Sequence, residues 1–244
     1  MSTFVLVPGF WLGAWAWDEV AAPLRAAGHR VHPVTLPGLA ERSGESAASG
    51  LEGQIADLTD LLVREDLWDV VAVAHSGAGA PVCGLADRMP ERIRRVVYLD
   101  SRPLADGTSV YDLWEPPFRE TADATVVDGR LPMPSWDFLS SQGAGQDGLD
   151  EARLARIRAR ATPHPEGAFR DRLRLTGAGA ALPQAMVFCS FPLARVRALI
   201  DSGHPGFAAL AAPNWELREL PTGHWPMFSR PADTAALLAE LAEV

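Results

Sequence analysis

Lysine is absent from the sequence: all 22 basic residues are arginine. A lysine Schiff base, the attachment of pyridoxal phosphate and a P-loop lysine are therefore excluded, together with any lyase chemistry that depends on a lysine. Genomic base composition is the simplest reason for the missing lysine, but the exclusion holds whatever its origin. We expect neither a cofactor nor a bound metal.

Cysteine, long apolar runs and excess positive charge are also scarce. The only cysteines, Cys83 and Cys189, lie far apart and are expected to be reduced and buried. No apolar stretch approaches the ~18 residues of a membrane helix, and no basic segment precedes the apolar run at 4–7, so neither a membrane span nor a signal peptide is expected. With 31 acidic residues and a net charge of -9, a nucleic-acid partner is not expected either. These features favour a cytoplasmic protein.

The length of 244 residues suits a single α/β domain. Short apolar runs that end at glycine, proline or a polar residue predict buried strands, and apolar residues at helical spacing predict helices between them. The predicted strands cover 3–7, 30–35, 70–74, 93–99, 186–191 and 215–220, and the predicted helices cover 15–27, 51–63, about 77–89, 195–200 and 232–241. This alternation favours a doubly wound, mostly parallel sheet.

Between residues 102 and 182 the alternation is interrupted by tryptophans, proline-rich stretches and a glycine-rich stretch. One helical pattern occurs here, at 149–161, and its arginine-rich face is expected to be solvated. We predict a sheet core formed by residues 1–101 and 183–244, with residues 102–182 inserted as a lid over the sheet.

A serine, Ser76, stands between the predicted strand 70–74 and the predicted helix that follows it. A serine on such a strand–turn–helix is exposed above the sheet edge at a helix N-terminus, where it can act as a nucleophile. The tight turn needs small neighbours, and Ala74 and Ala78 stand two residues on either side of Ser76. The pattern Ala-His-Ser-Gly-Ala is a relaxed form of Gly-x-Ser-x-Gly. The alternative is a plain strand-to-helix turn with a serine N-cap.

A nucleophilic serine needs a base, and six histidines are available. His224 lies in the loop between the last predicted strand and the last predicted helix, at the edge where sites form in open parallel sheets. A triad with the serine first in chain order requires a histidine in this loop. His75, next to the serine, is expected to pack or to form hydrogen bonds locally. His29 and His32 flank an early strand and have no evident partner. His164 stands between two prolines of the predicted lid, and His204 stands in a glycine- and proline-containing loop.

An oxyanion hole requires two backbone N–H groups aimed at the developing negative charge. Gly77, directly after the serine at the start of the helix, is expected to supply one of them. The loop after the first strand, residues 8–13, is expected to supply the other through the N–H of Phe10. The glycines of this loop are equally compatible with an ordinary loop before a helix.

Four motifs follow one another along the chain. They are Phe-Val-Leu-Val-Pro-Gly-Phe-Trp-Leu-Gly from residue 4, Ala-His-Ser-Gly-Ala-Gly from residue 74, Val-Tyr-Leu-Asp from residue 97 and Thr-Gly-His-Trp-Pro-Met from residue 222. In this order they give a chain that resembles the α/β-hydrolase superfamily, and within it the small esterase branch that contains plant methyl esterases and hydroxynitrile lyases. The resemblance covers nearly the whole chain and is weakest over 102–182. It implies Ser76 as nucleophile, His224 as general base and acid, and Phe10 and Gly77 as oxyanion donors.

The sequence departs from this family at two points. The His-Gly pair of the first loop is Pro8-Gly9 here, which removes one hydrogen bond that stabilises the loop. The triad acid normally follows the strand predicted at 186–191, where this sequence has no carboxylate. Asp100 is the better candidate, since some members of the superfamily take their acid from that position, although an aspartate there also serves as a turn cap; Asp201 lies further along, on a predicted helix. If neither serves, the enzyme would act through a Ser–His dyad.

Four tryptophans are expected to line a pocket. Trp11 and Trp225 flank the oxyanion and base loops, and Trp114 and Trp136 lie in the predicted lid. They predict an apolar or aromatic small-molecule substrate, the alternative being that they only cover the inner face of the lid. The predicted function is hydrolysis of an ester or a related acyl bond through an acyl-enzyme on Ser76. The sequence leaves open whether the protein forms a homodimer.

Two other functions stay open. Hydroxynitrile lyases of this branch use a lysine near the catalytic histidine, so the lysine-free sequence disfavours that reaction, whereas another lyase or tailoring activity of secondary metabolism is compatible with the fold. A non-catalytic ligand-binding protein that keeps the fold is the alternative from another class. The lack of a carboxylate after the strand at 186–191 is its main support.

Overall fold

The centre of the computed structural model, which describes residues 1–45 and 49–243, is a parallel sheet of six strands. The strands of the described residues are β1 (Thr3–Val7), β2 (Arg30–Pro33), β3 (Val70–His75), β4 (Ile93–Leu99), β5 (Arg130–Leu131), β6 (His164–Pro165), β7 (Gln184–Phe188) and β8 (Trp215–Glu219). Six of them form the sheet in the order β2-β1-β3-β4-β7-β8, and each neighbouring pair is parallel. β5 and β6 pair antiparallel in a separate small sheet. The parallel sheet predicted from the sequence is confirmed.

Helices connect the strands, as the alternation in the sequence predicts. The α-helices of the described residues are α1 (Asp18–Ala26), α2 (Leu51–Arg64), α3 (Gly79–Arg88), α4 (Pro116–Thr125), α5 (Trp136–Ser141), α6 (Glu151–Arg160), α7 (Glu166–Arg170), α8 (Leu193–Asp201), α9 (Pro226–Ser229) and α10 (Pro231–Leu241). Short 3-10 turns, Ala14–Trp17 and Ser76–Ala78, precede α1 and α3. α1 packs against α10, and α2 packs against α3.

The core lies on both faces of the central strands. Every residue of β1 and of β3 is buried. Because side chains alternate between the two faces of a strand, burial along the whole strand means that both faces are covered. The edge strand β8 is only partly buried, and its sequence accordingly includes Glu216, Arg218 and Glu219.

Strand register brings functional candidates to one edge of the sheet. β3 and β4 are parallel neighbours, and His75 at the end of β3 pairs with Leu99 at the end of β4. The residues that follow, Ser76 and Asp100, therefore leave the sheet side by side. The carboxyl edge is where open parallel sheets form their binding sites.

Residues 102–182 lie between β4 and β7 and contain α4 to α7 with the β5–β6 sheet. This inserted segment is bonded to the loops at the carboxyl edge of the main sheet. The N–H of Thr162 donates to the carbonyl of Trp11 at 2.9 Å, and the N–H of His224 donates to the carbonyl of Gly145 at 2.8 Å. The inserted segment thus contacts the loop after β1 and the loop after β8.

The structure also bears on the expectations about membrane helices and cysteines. None of the helices in the described part of the chain is both long enough and apolar enough to cross a membrane. Cys83 and Cys189 are both buried and form no disulfide, as predicted.

Candidate active site

Ser76 lies at the tip of a sharp turn between β3 and α3. Its φ of 52° is in the left-handed region, a conformation that costs a non-glycine residue about 1–3 kcal/mol and persists only where its surroundings enforce it. The surroundings are tight, because Ala74 and Ala78 are buried and a Cβ atom on Gly79 would overlap the carbonyl oxygen of Arg102. The small residues of the relaxed motif therefore fit the strained turn that the sequence predicts.

A continuous chain of hydrogen bonds joins three side chains at the sheet edge. Oγ of Ser76 lies 2.8 Å from Nε2 of His224, and Nδ1 of His224 lies 2.6 Å from Oδ2 of Asp100. An ionised carboxylate only accepts hydrogen bonds, so Nδ1 carries the imidazole proton and Nε2 is free to accept from the serine hydroxyl. This is the arrangement in which an imidazole can take a proton from a serine.

The loop that carries His224 is fixed by the inserted segment. It follows β8, and the N–H of Gly223 donates to the carbonyl of Asp147 at 3.1 Å. The backbones approach so closely that a Cβ atom on Gly223 would lie 2.5 Å from the carbonyl oxygen of Gly145. The inserted segment thereby fixes the backbone that carries the imidazole, while Asp100 binds the ring itself.

Asp100 is held by donors from the turn after β7. Its φ is 42°, and its Oδ1 accepts from the N–H groups of Cys189 at 2.9 Å and Ser190 at 3.2 Å. The hydroxyl of Ser190 donates to Oδ2 at 2.8 Å. Burial raises the pKa of Asp100, but the hydrogen bond to His224 and these donors outweigh that effect and hold its pKa below the usual range. β7 ends earlier than the sequence predicts because these two N–H groups bond to the carboxylate.

Of the two carboxylates considered from the sequence, Asp100 contacts His224 and Asp201 does not. Asp201 is the last residue of α8 and is exposed. Sequence reasoning missed Ser190, whose hydroxyl and N–H both bind the Asp100 carboxylate. The available signal was a small polar residue two positions after β7, in the turn where a carboxylate was expected.

His75 is buried between two loops of the site. The N–H of Gly9 donates to its Nδ1 at 3.2 Å, and its Nε2 donates to the carbonyl of His224 at 2.8 Å. Burial, with the nearby His224, lowers the pKa of His75 to about 3, so the ring is neutral and carries its proton on Nε2. His75 packs, as expected, with its ring against those of Trp17 and His224. Its hydrogen-bond partners, however, lie 66 and 149 positions away along the chain.

Phe10 and Gly77, the expected oxyanion donors, both line one cavity with Ser76. Neither backbone N–H donates to an acceptor within the described residues. On either side of Phe10, the N–H groups of Gly9 and Trp11 are bonded to buried histidines. Glycine at position 77 lets the ring of Phe10 approach, because a Cβ atom there would overlap that ring unless it shifted. The geometry therefore leaves two free N–H groups beside the serine.

The cavity has a volume of about 500 Å³, within the range of small-molecule sites. Aromatic and aliphatic side chains form much of its wall, together with a few polar groups. The apolar residues of the wall include Trp11, Leu104, Val110, Leu113, Trp114 and Trp225. No cluster of three or more histidine, cysteine or acidic side chains within residues 1–45 and 49–243 could hold a metal ion.

Trp136, the fourth tryptophan expected in the pocket, is not among the described residues that line it. Its ring packs edge-on against Trp225, with ring centres 5.1 Å apart, and the guanidinium of Arg158 lies 5.1 Å from its ring centre. The expectation that Trp136 lines the pocket is therefore wrong. Trp136 supports a wall residue, because the first turn of α5 directs it onto Trp225.

Known proteins resemble this chain over nearly its whole length. The alpha/beta hydrolase family matches residues 4–237. A carbendazim-hydrolysing esterase from Nocardioides sp. strain SG-4G is 31% identical, over 99% of this chain and 100% of its own length. Methylesterase 3 of Arabidopsis thaliana is 26% identical, over 98% of this chain and 95% of its own length.

A solved structure shares the fold. It is an extracellular alpha/beta-hydrolase from a Paenibacillus species, which is 21% identical, covers 98% of both chains and has a TM-score of 0.81. The family match spans nearly all of the sequence, and a relative above 30% identity covers it from end to end. This chain therefore belongs to the alpha/beta hydrolase family.

Proposed function

We propose that this chain is a serine esterase that cleaves an ester or a related acyl bond of a small, apolar or aromatic substrate. One observation carries the proposal: the hydrogen-bonded chain Ser76–His224–Asp100 ends at a serine that lines the cavity. The names of the two sequence relatives, both esterases, support the same reaction class.

In the first half-reaction Oγ of Ser76 attacks the substrate carbonyl carbon while Nε2 of His224 takes the hydroxyl proton. Asp100 stabilises the imidazolium that forms and keeps the ring oriented. Negative charge develops on the carbonyl oxygen, and the N–H groups of Phe10 and Gly77 are free to donate to it. The imidazolium then returns its proton to the alcohol oxygen, the C–O bond breaks, and the acyl group stays on Ser76.

In the second half-reaction a water molecule is the nucleophile and attacks the acyl group on Ser76. His224 takes a proton from the water, the hydroxide attacks the acyl carbon, and the proton passes to Oγ of Ser76 as the acid leaves. The buried, neutral ring of His75 takes no proton in this cycle. It holds the carbonyl of His224 and the N–H of Gly9 in place.

The substrate class follows from the cavity wall. Trp11, Trp114 and Trp225 offer flat apolar surfaces, which suit an aromatic or aliphatic acyl group. A small alcohol as leaving group agrees with the name methylesterase of one relative. We further propose that residues 102–182 serve as the lid, because α4, α5 and the 142–144 region contribute to the wall opposite the sheet edge. Cytoplasmic location and a homodimer stay predictions of the sequence.

The non-catalytic alternative depended on the missing carboxylate after β7. Because Asp100 is bonded to His224, that argument no longer favours a ligand-binding protein over an enzyme. The hydroxynitrile lyase reaction of this branch stays disfavoured by the absence of lysine.

The proposal is tested by the reaction of the purified protein with p-nitrophenyl esters of short and medium acids. We expect a burst of p-nitrophenol followed by turnover in the wild type, and neither in Ser76→Ala. A fluorophosphonate should label Ser76 and leave the alanine variant unlabelled. A wild type that is both inactive and unlabelled would exclude a serine esterase.

A further inference from the structure

Three consecutive backbone N–H groups in the loop after β1, those of residues 9–11, differ in their hydrogen bonding. The N–H of Gly9 donates to His75 and the N–H of Trp11 donates to Nδ1 of His164, at 3.2 and 3.3 Å. Phe10, between them, donates to no acceptor within the described residues. The direction of a peptide N–H depends on both of its neighbouring peptides. The free N–H is thus aimed by two imidazoles, one on each side.

The second imidazole belongs to the inserted segment. His164 opens strand β6, and two further hydrogen bonds join Trp11 to the same segment: its carbonyl accepts from the N–H of Thr162 at 2.9 Å, and its Nε1 donates to the carbonyl of Leu131 at 3.0 Å. Trp11 has a φ of 66°, in the left-handed region that a tryptophan rarely adopts. Residues 102–182 therefore enforce the conformation of the residue after the expected oxyanion donor.

His164 also fixes the side chain of Phe10. The two rings lie 4.0 Å apart between centres, and the Phe10 ring also lies so close to Gly77 that a Cβ atom there would overlap it. The imidazole is 2% exposed and, with Nδ1 accepting from Trp11, its proton is on Nε2, which has no partner within the described residues. A histidine kept in an apolar site with an unpaired N–H is not explained by packing alone.

We propose that His164 is a positioning residue for the oxyanion hole: by accepting the Trp11 N–H and packing on the Phe10 ring, it holds the Phe10 N–H towards the substrate carbonyl. The inference rests on the proposed esterase function. Its consequence is that the segment 102–182 takes part in transition-state stabilisation through this histidine, besides forming part of the cavity wall. His164 is not among the described residues that line the cavity, so its effect must pass through Phe10 and Trp11.

The test compares three substitutions with the wild type. His164→Phe keeps a ring against Phe10 and loses the acceptor. His164→Leu loses both. His164→Asn keeps an acceptor, since Oδ1 of asparagine can take the place of Nδ1. His29→Phe is the matched control, because His29 also accepts a backbone N–H at Nδ1, packs against Phe4 and does not line the cavity among the described residues.

Two ligands separate positioning from structural damage. An aryl trifluoromethyl ketone forms a covalent hemiketal with the serine, whose oxyanion uses the hole, whereas the corresponding secondary alcohol occupies the same cavity without an oxyanion. We expect His164→Phe and His164→Leu to lower kcat and to raise the Ki of the ketone by at least ~10-fold, below the 10²–10³-fold that follows complete removal of a donor. KM for the ester and Kd for the alcohol should change by less than about twofold. His164→Asn should recover most of the loss, and His29→Phe should match the wild type.

The outcomes are distinguishable. If the wild type hydrolyses esters and binds the ketone but both His164→Phe and His164→Leu do so equally well, the positioning role is rejected and the esterase proposal stands. If the His164 variants bind the ketone and the alcohol more weakly by the same factor, or if His164→Asn does not recover kcat and ketone binding, His164 only maintains the cavity. Either result would also reject the positioning role. If the wild type neither hydrolyses esters nor forms the hemiketal, the esterase proposal and this inference both fail. The melting temperature of each variant identifies any that does not fold, and the remaining variants then decide.

Discussion

Oδ2 of Asp100 lies 2.6 Å from Nδ1 of His224, although 124 positions separate the two residues in the sequence. They come from the turns after β4 and β8, and β7 lies between these strands in the sheet. The turn after β7 supplies two N–H groups and a hydroxyl to the carboxylate instead of a carboxylate of its own. The acid of the proposed triad thus follows β4 and not β7, after which the resemblance to the family places it, and it contacts Nδ1 of His224.

Replacement of Asp100 by asparagine should lower kcat at least tenfold, and by as much as ~10⁴-fold. The asparagine NH₂ can donate to Nδ1, which favours the imidazole tautomer that cannot take the serine proton. Steady-state kinetics with a p-nitrophenyl ester measure the effect. Asp201→Asn is the control and should stay within twofold of the wild type. Wild-type turnover by Asp100→Asn would reject Asp100 as the acid.

The parts of the site that the sequence predicts are those with a local signal. Ser76 follows an apolar run and has alanine two positions away on both sides, and His224 stands in the loop after the last apolar run. Each of these patterns is contained in fewer than ten residues. The alternation of strands and helices then predicts a parallel sheet, in which both residues follow strands at the same edge.

The parts that the sequence does not predict depend on contacts between distant segments. The resemblance to the family already favours Asp100 over Asp201, but the donors that hold its carboxylate depend on the pairing of β4 with β7, which brings Ser190 to it. The partners of His75 and the position of Trp136 behind Trp225 likewise arise from loop packing. No periodicity or spacing in a single sequence reports such contacts.

Replacement of Ser190 by alanine tests the support of the proposed acid. It removes the hydroxyl that donates to Oδ2 of Asp100 and leaves the backbone donors in place, so the pKa of Asp100 should rise towards its usual value. A hydrogen bond of about 1 kcal/mol corresponds to roughly a fivefold decrease in kcat. Ser202→Ala, which removes a hydroxyl bonded to the carbonyl of Leu199 on exposed α8, is the control. A decrease in kcat as large as that of Asp100→Asn, or no decrease at all, would contradict the supporting role of the Ser190 hydroxyl.

Asp87 should make stability depend on pH. This buried residue of α3 accepts hydrogen bonds from the N–H and hydroxyl of Thr176 and from the N–H of Gly177, which tie the end of the inserted segment to the helix. Burial raises the pKa of Asp87, but these donors outweigh it and lower the pKa below the usual value. The ionised form therefore stabilises the fold above about pH 4, and this contribution is lost as the pH falls through the lowered pKa.

Asp87→Asn should accordingly lower the free energy of unfolding by about 1–3 kcal/mol at pH 7, as expected for hydrogen bonds to a charged group. Urea unfolding at pH 7, 5, 4 and 3 measures the difference from the wild type, which should narrow at the two lowest values. Asp60→Asn on an exposed position of α2 is the control. A difference that stays constant down to pH 3 would show that the ionised carboxylate is not what stabilises this contact.

Gly79→Ala should reduce both stability and activity, for a reason that lies outside the helix. The φ of Gly79 is -54°, an ordinary helical value, so alanine would be favourable in an isolated helix. A Cβ atom there would overlap the carbonyl of Arg102, a backbone atom that cannot move without displacing the turn after β4. Overpacking of this kind costs about 1–3 kcal/mol. Because Ser101 in the same turn donates to the carbonyl of Ser76 at 2.5 Å, the serine should shift too and kcat should fall.

Thermal unfolding and p-nitrophenyl ester turnover measure the two effects of Gly79→Ala. Gly44→Ala is the matched control, because its added Cβ meets no atom within 4 Å and its φ is not in the left-handed region. It should leave both melting temperature and kcat at wild-type values. If Gly79→Ala were as stable and as active as Gly44→Ala, the close approach of the turn after β4 to the start of α3 would not be what holds Ser76 in its strained conformation. If kcat falls by more than the unfolded fraction of Gly79→Ala accounts for, the substitution displaces Ser76 in the folded protein.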